Sequence, residues 1–201
     1  MSYPIPTQQS HAEIEIKKSR FIAYAKGIQN REEGMTWIKE LKKEYPDARH
    51  HCWAYLLGNP NCATNAGMGD DGEPSGTAGK PILNVLQHKG IGDVIIVVVR
   101  YFGGIKLGAG GLTRAYGQAA QAVMENLPTE IQTPKTLYII YCDFALEQQI
   151  RHLCSQSDTE IIAVNYSEKV QIEINIPNKN ITTLQKQLAA YDCSFKEKQL
   201  T

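Results

Sequence analysis

Two prolines six residues apart, Pro128 and Pro134, interrupt the chain about two thirds of the way along its 201 residues. Proline lacks a backbone N–H donor and fixes φ, so this pair cannot lie inside a helix or a central strand. Helix-like and strand-like patterns resume on both sides of the break. The sequence therefore predicts a domain of residues 1–127, a linker of residues 128–134 and a second domain of residues 135–201.

The segment after the break alternates between strand-like and helix-like patterns. Val170–Ile176 alternates apolar and polar residues, which is typical of a half-buried strand. Apolar residues at helical spacing occur in Phe144–Leu153 and again after Pro177. The remaining predicted strands are Leu137–Tyr141, Glu160–Val164 and a short one around Phe195. The order is β-α-β-β-α-β, which is the ferredoxin-like arrangement.

The segment before the break is also mixed, so the fold class is α+β. Val94–Tyr101 is apolar almost throughout and predicts a central strand. The phase of the first strand slips near residues 18–20, which predicts a bulge or a bend. The other predicted elements are a helix at 32–45, a strand at 51–57, a long polar loop at 58–76, a helix at 77–88 and a helix at 112–126.

The composition excludes several classes of protein. Lys+Arg and Asp+Glu are both 21, so the net charge is zero and a polybasic nucleic-acid binder is not indicated. The longest apolar run, Val94–Val99, is far short of the ~20 residues that span a bilayer, and the first residues do not resemble a secretion signal. The five cysteines are scattered without a C-x-x-C pair, so disulfides are not predicted. We expect a soluble, cytoplasmic protein.

A glycine-rich segment, Arg100–Gly117, follows the apolar strand and leads into the next predicted helix. Thr113 stands where the dinucleotide fingerprint needs its third glycine, so NAD is not predicted. Glycines let a backbone approach a ligand closely, and a helix start offers free N–H groups to an anion. Basic and aromatic residues beside them suit a phosphate and a base, as in single-stranded RNA binding. Tight packing of helix on sheet is the alternative explanation.

The candidate anion-binding residues come from this segment and from basic positions elsewhere in the first domain. Those of the segment are Arg100, Tyr101, Gly103, Gly104, Lys106, Gly108, Gly110 and Arg114, with Phe102 and Tyr116 as further stacking faces. Lys17, Lys18, Arg20 and Arg49 are predicted to extend this surface. The basic cluster at 17–20, placed on the first strand, is alternatively a solvated edge that discourages strand-on-strand aggregation.

A second candidate site centres on the acidic, glycine-rich loop Gly69–Pro81. Pro74 and Pro81 occupy the positions where a Walker A loop needs glycine and Ser/Thr, so nucleoside triphosphate hydrolysis is not predicted. The loop carboxylates could hold a hard cation, or they could cap the following helix or remain solvated. Adjacent histidines on a strand point to opposite faces and cannot easily share one metal, so no metal or cofactor is predicted. The alternative site comprises His50, His51, Asp70, Asp71, Glu73 and Lys80.

Together, four segments of residues 1–127 resemble the IMPACT / YigZ family. They are Lys17–Phe21 (KKSRF), Asp47–Cys52 (DARHHC), Asp70–Pro81 (DDGEPSGTAGKP) and Val97–Gly108 (VVVRYFGGIKLG). The second domain is similar to bacterial two-domain members in size and strand order. The resemblance implies a first domain with the fold of elongation factor G domain IV and of ribosomal proteins, and a ferredoxin-like second domain. Eukaryotic relatives, similar in the first domain only, regulate translation under amino-acid starvation.

The leading hypothesis is a non-enzymatic module that acts on translation by binding RNA, the ribosome or a translation factor, without sequence-specific DNA readout. The alternative is a metal-assisted hydrolase with Asp70, Asp71 and Glu73 as cation ligands and His50 or His51 as acid or base. A third hypothesis is a protein–protein adaptor that uses the sheet of the second domain. No membrane contact is predicted, and no oligomeric state is predicted.

Overall fold

The alternating patterns of the sequence become two separate units of sheet and helix in the computed structural model, which describes residues 2–198. The first unit is Ser2–Gln132 and the second begins at Thr133. Each unit has its own buried apolar core. The predicted α+β class is therefore confirmed. Within residues 2–198, no helix is both long and apolar enough to cross a membrane.

The first unit contains three helices and seven strands. They are β1 Tyr3–Pro6, β2 Ser10–Ile16, β3 Ser19–Gly27, α1 Arg31–Glu44, β4 His50–Leu57, β5 Asn65–Gly69, α2 Gly79–Lys89, β6 Val94–Tyr101, α3 Gly108–Glu125 and β7 Thr129–Gln132. Five strands form an antiparallel sheet in the order β2-β3-β6-β4-β5. The first and last strands, β1 and β7, pair with each other separately.

Strand β6 is central and is buried on both faces. Val94, Ile96 and Val98 belong to the core that includes residues of α2 and α3. Ile95 and Val97 belong to a second core, which includes residues of α1. A strand covered on both faces needs apolar side chains at every position, which explains why its sequence does not alternate.

Local sequence signals explain where two of the helices begin or end. The Asn30 side chain accepts a hydrogen bond from the N–H of Glu33, and the Glu33 carboxylate accepts one from the N–H of Gln29. These bonds satisfy donors at the start of α1, in the manner of a capping box. Gly90 follows α2 with φ of 66°, the left-handed conformation that glycine adopts most easily. The sequence predicted this glycine as the end of the helix.

The phase slip near residues 18–20 is a hairpin turn rather than a bulge. Lys17 and Lys18 have φ values of 48° and 63° and connect β2 to β3. Two central residues with positive φ give the turn a twist that matches antiparallel strands. The basic cluster predicted on the first strand therefore divides, with both lysines in the turn and Arg20 on β3.

Three further predicted boundaries differ from the structure. The long polar loop at 58–76 contains strand β5, which pairs with β4. Helix α3 begins at Gly108, four residues before the predicted start. The predicted linker 128–134 contains β7, so most of it is hydrogen-bonded to the first strand of the chain.

The second unit follows the predicted order of elements. They are β8 Lys135–Cys142, α4 Glu147–Gln156, β9 Glu160–Tyr166, β10 Val170–Pro177, α5 Ile181–Leu188 and β11 Cys193–Glu197. The strands form an antiparallel sheet in the order β11-β8-β10-β9. Ile172, Ile174 and Ile176 are fully buried in its core, together with Ile150 of α4 and Leu184 of α5. The polar residues between these isoleucines are only half-buried, as the alternation predicted.

Candidate anion-binding site

The site lies where β6 ends and α3 begins. Arg100, next to the end of β6, is opposite Phe21 of β3 and His50 of β4 in the sheet. Residues directly opposite each other in a sheet project from the same face. This face is the one that carries the core with α2 and α3. The sheet register therefore brings together three side chains that are up to 79 residues apart in sequence.

Arg100 is buried and its charge is already balanced. It is 6% exposed, and its Nη1 donates to Oε1 of the equally buried Glu73. Its guanidinium carbon lies 5.5 Å from the ring centroid of Phe21 and 5.7 Å from that of Phe102. A buried charge needs a partner of opposite sign. Arg100, predicted as a contact for an external anion, therefore has an internal partner.

Glu73 is the centre of a buried hydrogen-bond network. The Tyr116 hydroxyl donates to its Oε1 over 2.8 Å, and the Cys52 thiol donates to the Tyr116 oxygen over 3.3 Å. Burial raises the pKa of both the Tyr116 hydroxyl and the Cys52 thiol well above their usual ranges. Both groups are therefore neutral near pH 7, and the thiol is not a nucleophile. Tyr116, predicted as a stacking face, is fully buried and cannot stack on a ligand.

Asp70 holds the acidic loop against the start of α2. Its carboxylate accepts hydrogen bonds from the N–H groups of Gly76, Ala78 and Gly79 over 2.8 to 3.0 Å. Burial raises the pKa of this carboxyl group, but the three hydrogen bonds outweigh burial and lower it overall. Asp70 therefore caps the start of α2, which is one of the explanations that the sequence left open.

The Asp71 carboxylate forms hydrogen bonds with residues other than those that bind Asp70. Its carboxylate accepts from Lys42 Nζ over 2.5 Å and from the N–H of His51 over 2.7 Å. Burial raises its pKa, and these partners lower it by more. Asp70, Asp71 and Glu73 thus have three different sets of partners. Residues 2–198 contain no group of three or more His, Cys, Asp or Glu side chains placed to hold a metal ion.

The two adjacent histidines lie on opposite faces of the sheet. His50 Nε2 is 4.0 Å from Glu73 Oε1, and its Nδ1 is 2.9 Å from the carbonyl oxygen of Asp71. His51 lies on the face that carries α1, and burial lowers its pKa. Only His50 can therefore contact a ligand beside Arg100.

A cavity of about 350 Å³ opens beside this network, and we call it the β6–α3 cavity. It is lined by Arg49, His50, Glu73, Pro74, Arg100, Phe102, Lys106, Leu107, Gly108, Ala109 and Leu112. The lining includes the first turn of α3, where no side chain among residues 2–198 caps the helix. The N–H groups of a first helical turn have no partner within the helix. Arg49 and Lys106 are exposed and form no ion pair with any residue in the described part of the chain.

A second, smaller cavity of about 220 Å³ lies beyond Leu107, and we call it the hairpin cavity. It is lined by Ile16, Lys17, Leu107, Gly111, Arg114, Ala115 and Gln118. Leu107 lines both cavities. Basic residues that were predicted to bind an anion thus line the cavities on both sides of Leu107. Arg49 and Lys106 lie on one side, and Lys17 and Arg114 lie on the other.

The remaining candidate residues, among them Arg20, Tyr101 and Gly103, line neither cavity. Arg20 forms an exposed ion pair with Glu13 and lies over the Tyr101 ring, 5.7 Å from its centroid. Gly103 packs against the backbone of Lys18, in the hairpin turn. Lys80, Gly104 and Gly110 line neither cavity.

The sequence did not indicate the pairing of Glu73 with Arg100. The two residues are 27 positions apart, and only the sheet register and the course of the acidic loop bring them together. The apolar wall of Pro74, Leu107 and Leu112 was also missed. Phe102 was predicted as a further stacking face, which is the one signal that indicates this wall.

The fold and the site define a mixed α+β protein of two units, with a cationic and partly apolar cleft in the first. The model of the Impact N-terminal domain matches residues 17–124, and the model of a domain of unknown function (DUF1949) matches residues 140–190. The chain therefore belongs to the IMPACT family.

Individual relatives match nearly the whole chain. An IMPACT family member of Haemophilus influenzae is 39% identical over 186 residues, which cover 92% of this chain and 90% of that protein. The IMPACT family member YigZ of Escherichia coli is 38% identical over 190 residues, or 94% of this chain and 93% of that protein. A crystal structure of a hypothetical protein is 35% identical and has a TM-score of 0.76, covering 100% of this chain and 98% of that one.

Proposed function

We propose that the first unit binds single-stranded RNA, free or within the ribosome, and that the protein acts in this way in the regulation of translation. The observation that carries the proposal is a set of four exposed cations on both sides of Leu107, none of which forms an ion pair within residues 2–198. Arg49 and Lys106 line one cavity, and Lys17 and Arg114 line the other. Cations along a groove with an exposed aromatic residue are typical of proteins that follow a nucleic-acid backbone.

The arrangement of charge supports a local electrostatic contact in a protein with no net charge. Arg100 does not take part as a free charge, because Glu73 balances it. The four remaining cations are exposed, so their contribution to binding weakens as salt is added. Membership of the IMPACT family supports the role in translation, which the sequence resemblance also implied.

The finer assignments of fold are part of the same proposal. We propose that the second unit is ferredoxin-like, and its strand order β11-β8-β10-β9 supports this assignment. We also propose that the first unit has the fold of elongation factor G domain IV, and that the two units are separate domains with their boundary within segment 128–134, after β7.

The proposal is tested by the salt dependence of RNA binding. Fluorescence anisotropy of a labelled single-stranded RNA, and co-sedimentation with ribosomes, are measured from low to physiological salt for the wild type and for Lys106→Ala/Arg114→Ala. Each lost phosphate contact should reduce the slope of log K against log salt by about 0.7, so we expect a reduction of about 1.4.

A matched control removes the same charge from another face. Lys39 and Lys43 are exposed on α1, which packs on the opposite face of the sheet. The variant Lys39→Ala/Lys43→Ala should bind RNA with the slope of the wild type. Equal slopes for all three proteins, or no binding at low salt, would show that this surface does not bind RNA.

A further inference from the structure

We infer that the β6–α3 cavity is a pocket for one nucleotide, with the phosphate near Lys106 and the start of α3 and with the base against Phe102. This inference rests on the proposed function and adds the chemical class of the ligand. The hairpin cavity, by contrast, contacts only the sugar–phosphate backbone of the RNA.

The size and lining of the cavity fit a small planar ligand with one charged end. Its volume of about 350 Å³ lies at the lower end of the range for small-molecule pockets, which begins near 300 Å³. Pro74, Leu107 and Leu112 supply apolar surface, and Phe102 supplies an aromatic ring. Phe102 is 50% exposed, which leaves ring surface available to a ligand. Bases stack on such rings regardless of sequence.

The charges at the cavity favour an anion. The Glu73 carboxylate and the Arg100 guanidinium compensate each other, which leaves Arg49 and Lys106 as unbalanced positive charges. Helix α3 has 18 residues, and its first turn, at Gly108 and Ala109, lies in the cavity wall without a side-chain cap. The start of a helix with free N–H groups stabilises a phosphate.

An incompletely satisfied donor indicates that the protein alone does not complete the site. Arg100 is 6% exposed and lines the cavity, and its Nε has no hydrogen-bond partner among residues 2–198. A buried donor without an acceptor is unfavourable and uncommon. A ligand oxygen or ring nitrogen at this wall, after a small shift of the guanidinium, would supply the missing acceptor. This donor is an observation independent of the helix start, on a residue that lines the same cavity.

The test is a calorimetric titration of the full chain with adenosine 5′-monophosphate and uridine 5′-monophosphate, compared with the nucleosides and with inorganic phosphate. We expect the nucleotides to bind at least tenfold more tightly than either half alone. If inorganic phosphate binds as tightly as the nucleotides, the cavity is an anion site without a base pocket. If neither nucleotide binds at millimolar concentration, the inference is wrong.

Two variants test the contacts of the base and of the phosphate separately. Phe102→Ala should weaken nucleotide binding about tenfold and leave phosphate binding unchanged, because only the base contacts the ring. Lys106→Ala should weaken both. Phe144→Ala is the matched control, since Phe144 is 56% exposed in the second unit, and it should change neither. Equal weakening by Phe102→Ala and Phe144→Ala would contradict the inference.

Arg114→Ala separates this inference from the proposed function, because Arg114 lines the other cavity. It should weaken binding of single-stranded RNA and leave nucleotide binding unchanged. RNA binding without nucleotide binding would overturn the pocket and leave the proposed function in place. Nucleotide binding without any RNA binding would overturn the proposed function and leave the pocket.

Discussion

Glu73 and Arg100 meet in the interior of the first unit with side chains only 4% and 7% exposed. Removing two charges from water is costly, and their mutual attraction offsets that cost only when the remaining hydrogen bonds are also made. Tyr116 provides one of these bonds. The loss of either charge leaves the other buried without compensation, so the pair is more important for keeping the site folded than for adding net stability.

The variant Glu73→Gln should therefore be strongly destabilising. Glutamine is nearly the same shape and can still accept from Tyr116, but it leaves the Arg100 charge unpaired. We expect a loss of about 3 kcal/mol in the free energy of unfolding, measured by urea denaturation. The control is Glu13→Gln, which breaks the exposed ion pair with Arg20 and should lower the free energy of unfolding far less. Similar losses for both variants would show that burial does not govern the Glu73 pair.

A second prediction at the residue scale concerns the buried thiol of Cys154 in the second unit. Burial raises the pKa of Cys154 from 9.0 to about 11. Above pH 9 the unfolded chain releases the Cys154 proton, while the folded chain keeps it. The stability contributed by the buried neutral thiol is therefore complete below pH 9 and is lost as the pH rises towards 11. The expected loss is at most about 1.4 kcal/mol per pH unit.

This loss is measured by comparing urea unfolding of the wild type and Cys154→Ala between pH 8 and pH 10.5. The stability of the variant should fall less steeply with pH than that of the wild type. Parallel curves for the wild type and Cys154→Ala would show that this thiol does not titrate differently on folding.

At the scale of elements, the contact between the β2–β3 hairpin and the segment before α3 depends on one missing side chain. A Cβ added at Gly103 would lie 2.0 Å from the carbonyl carbon of Lys18. Gly103→Ala should therefore push the two segments apart and cost about 3 kcal/mol by overpacking. Both segments contribute lining to the hairpin cavity, so RNA affinity should fall as well.

Gly117→Ala is the matched control for this substitution. Gly117 lies within α3, and a Cβ there would meet nothing within 4 Å. Alanine restricts the unfolded chain and favours the helix, so the variant should be about 0.5–1 kcal/mol more stable than the wild type. Thermal unfolding measures the expected loss of stability in Gly103→Ala and the expected gain in Gly117→Ala. Destabilisation by Gly117→Ala would indicate a steric contact that the structure lacks.

The elements with a strong hydrophobic period could be predicted from the sequence, and those built on glycine could not. Helix α1 and strand β10 were predicted because their apolar residues repeat at the period of a helix or a strand, and β6 was predicted because it is an almost unbroken apolar run. Strand β5 was missed because its sequence, NAGMG, has low strand propensity. Its glycines are required instead by packing, since a Cβ at Gly69 would lie 2.6 Å from the Trp53 ring.

The site could be predicted only in part for a related reason. Basic and aromatic residues near a glycine-rich helix start directed the prediction to the region where Arg49 and Lys106 line the β6–α3 cavity. The burial of Arg100 and Tyr116 could not be deduced, because it depends on which strands are neighbours and on where the acidic loop returns. A linear pattern does not tell a cation that faces solvent from one that is paired inside.

At the scale of the whole molecule, the two units have separate cores, and this predicts separate folding. The cores of the first unit consist only of residues of that unit, and the same holds for the second. A fragment of residues 2–132 should therefore unfold cooperatively without the second unit. Circular dichroism during urea denaturation measures this, and a broad, non-cooperative transition would contradict it.

A shorter fragment tests the boundary. Residues 2–127 end where the sequence predicted the first domain to end, but they lack β7 and leave β1 without its partner. This fragment should be less stable than residues 2–132. Equal stability would show that the β1–β7 pair does not belong to the cooperative unit.

The pairing of β1 with β7 also has a consequence for the time course of synthesis. Tyr3 pairs with Gln132, so β1 cannot pair until the ribosome has made almost 130 further residues. At about 5–20 residues per second, this wait lasts roughly 6 to 26 s. During that interval the N–H and C=O groups of β1 have no partner strand. A chain that is released before residue 129 keeps β1 unpaired.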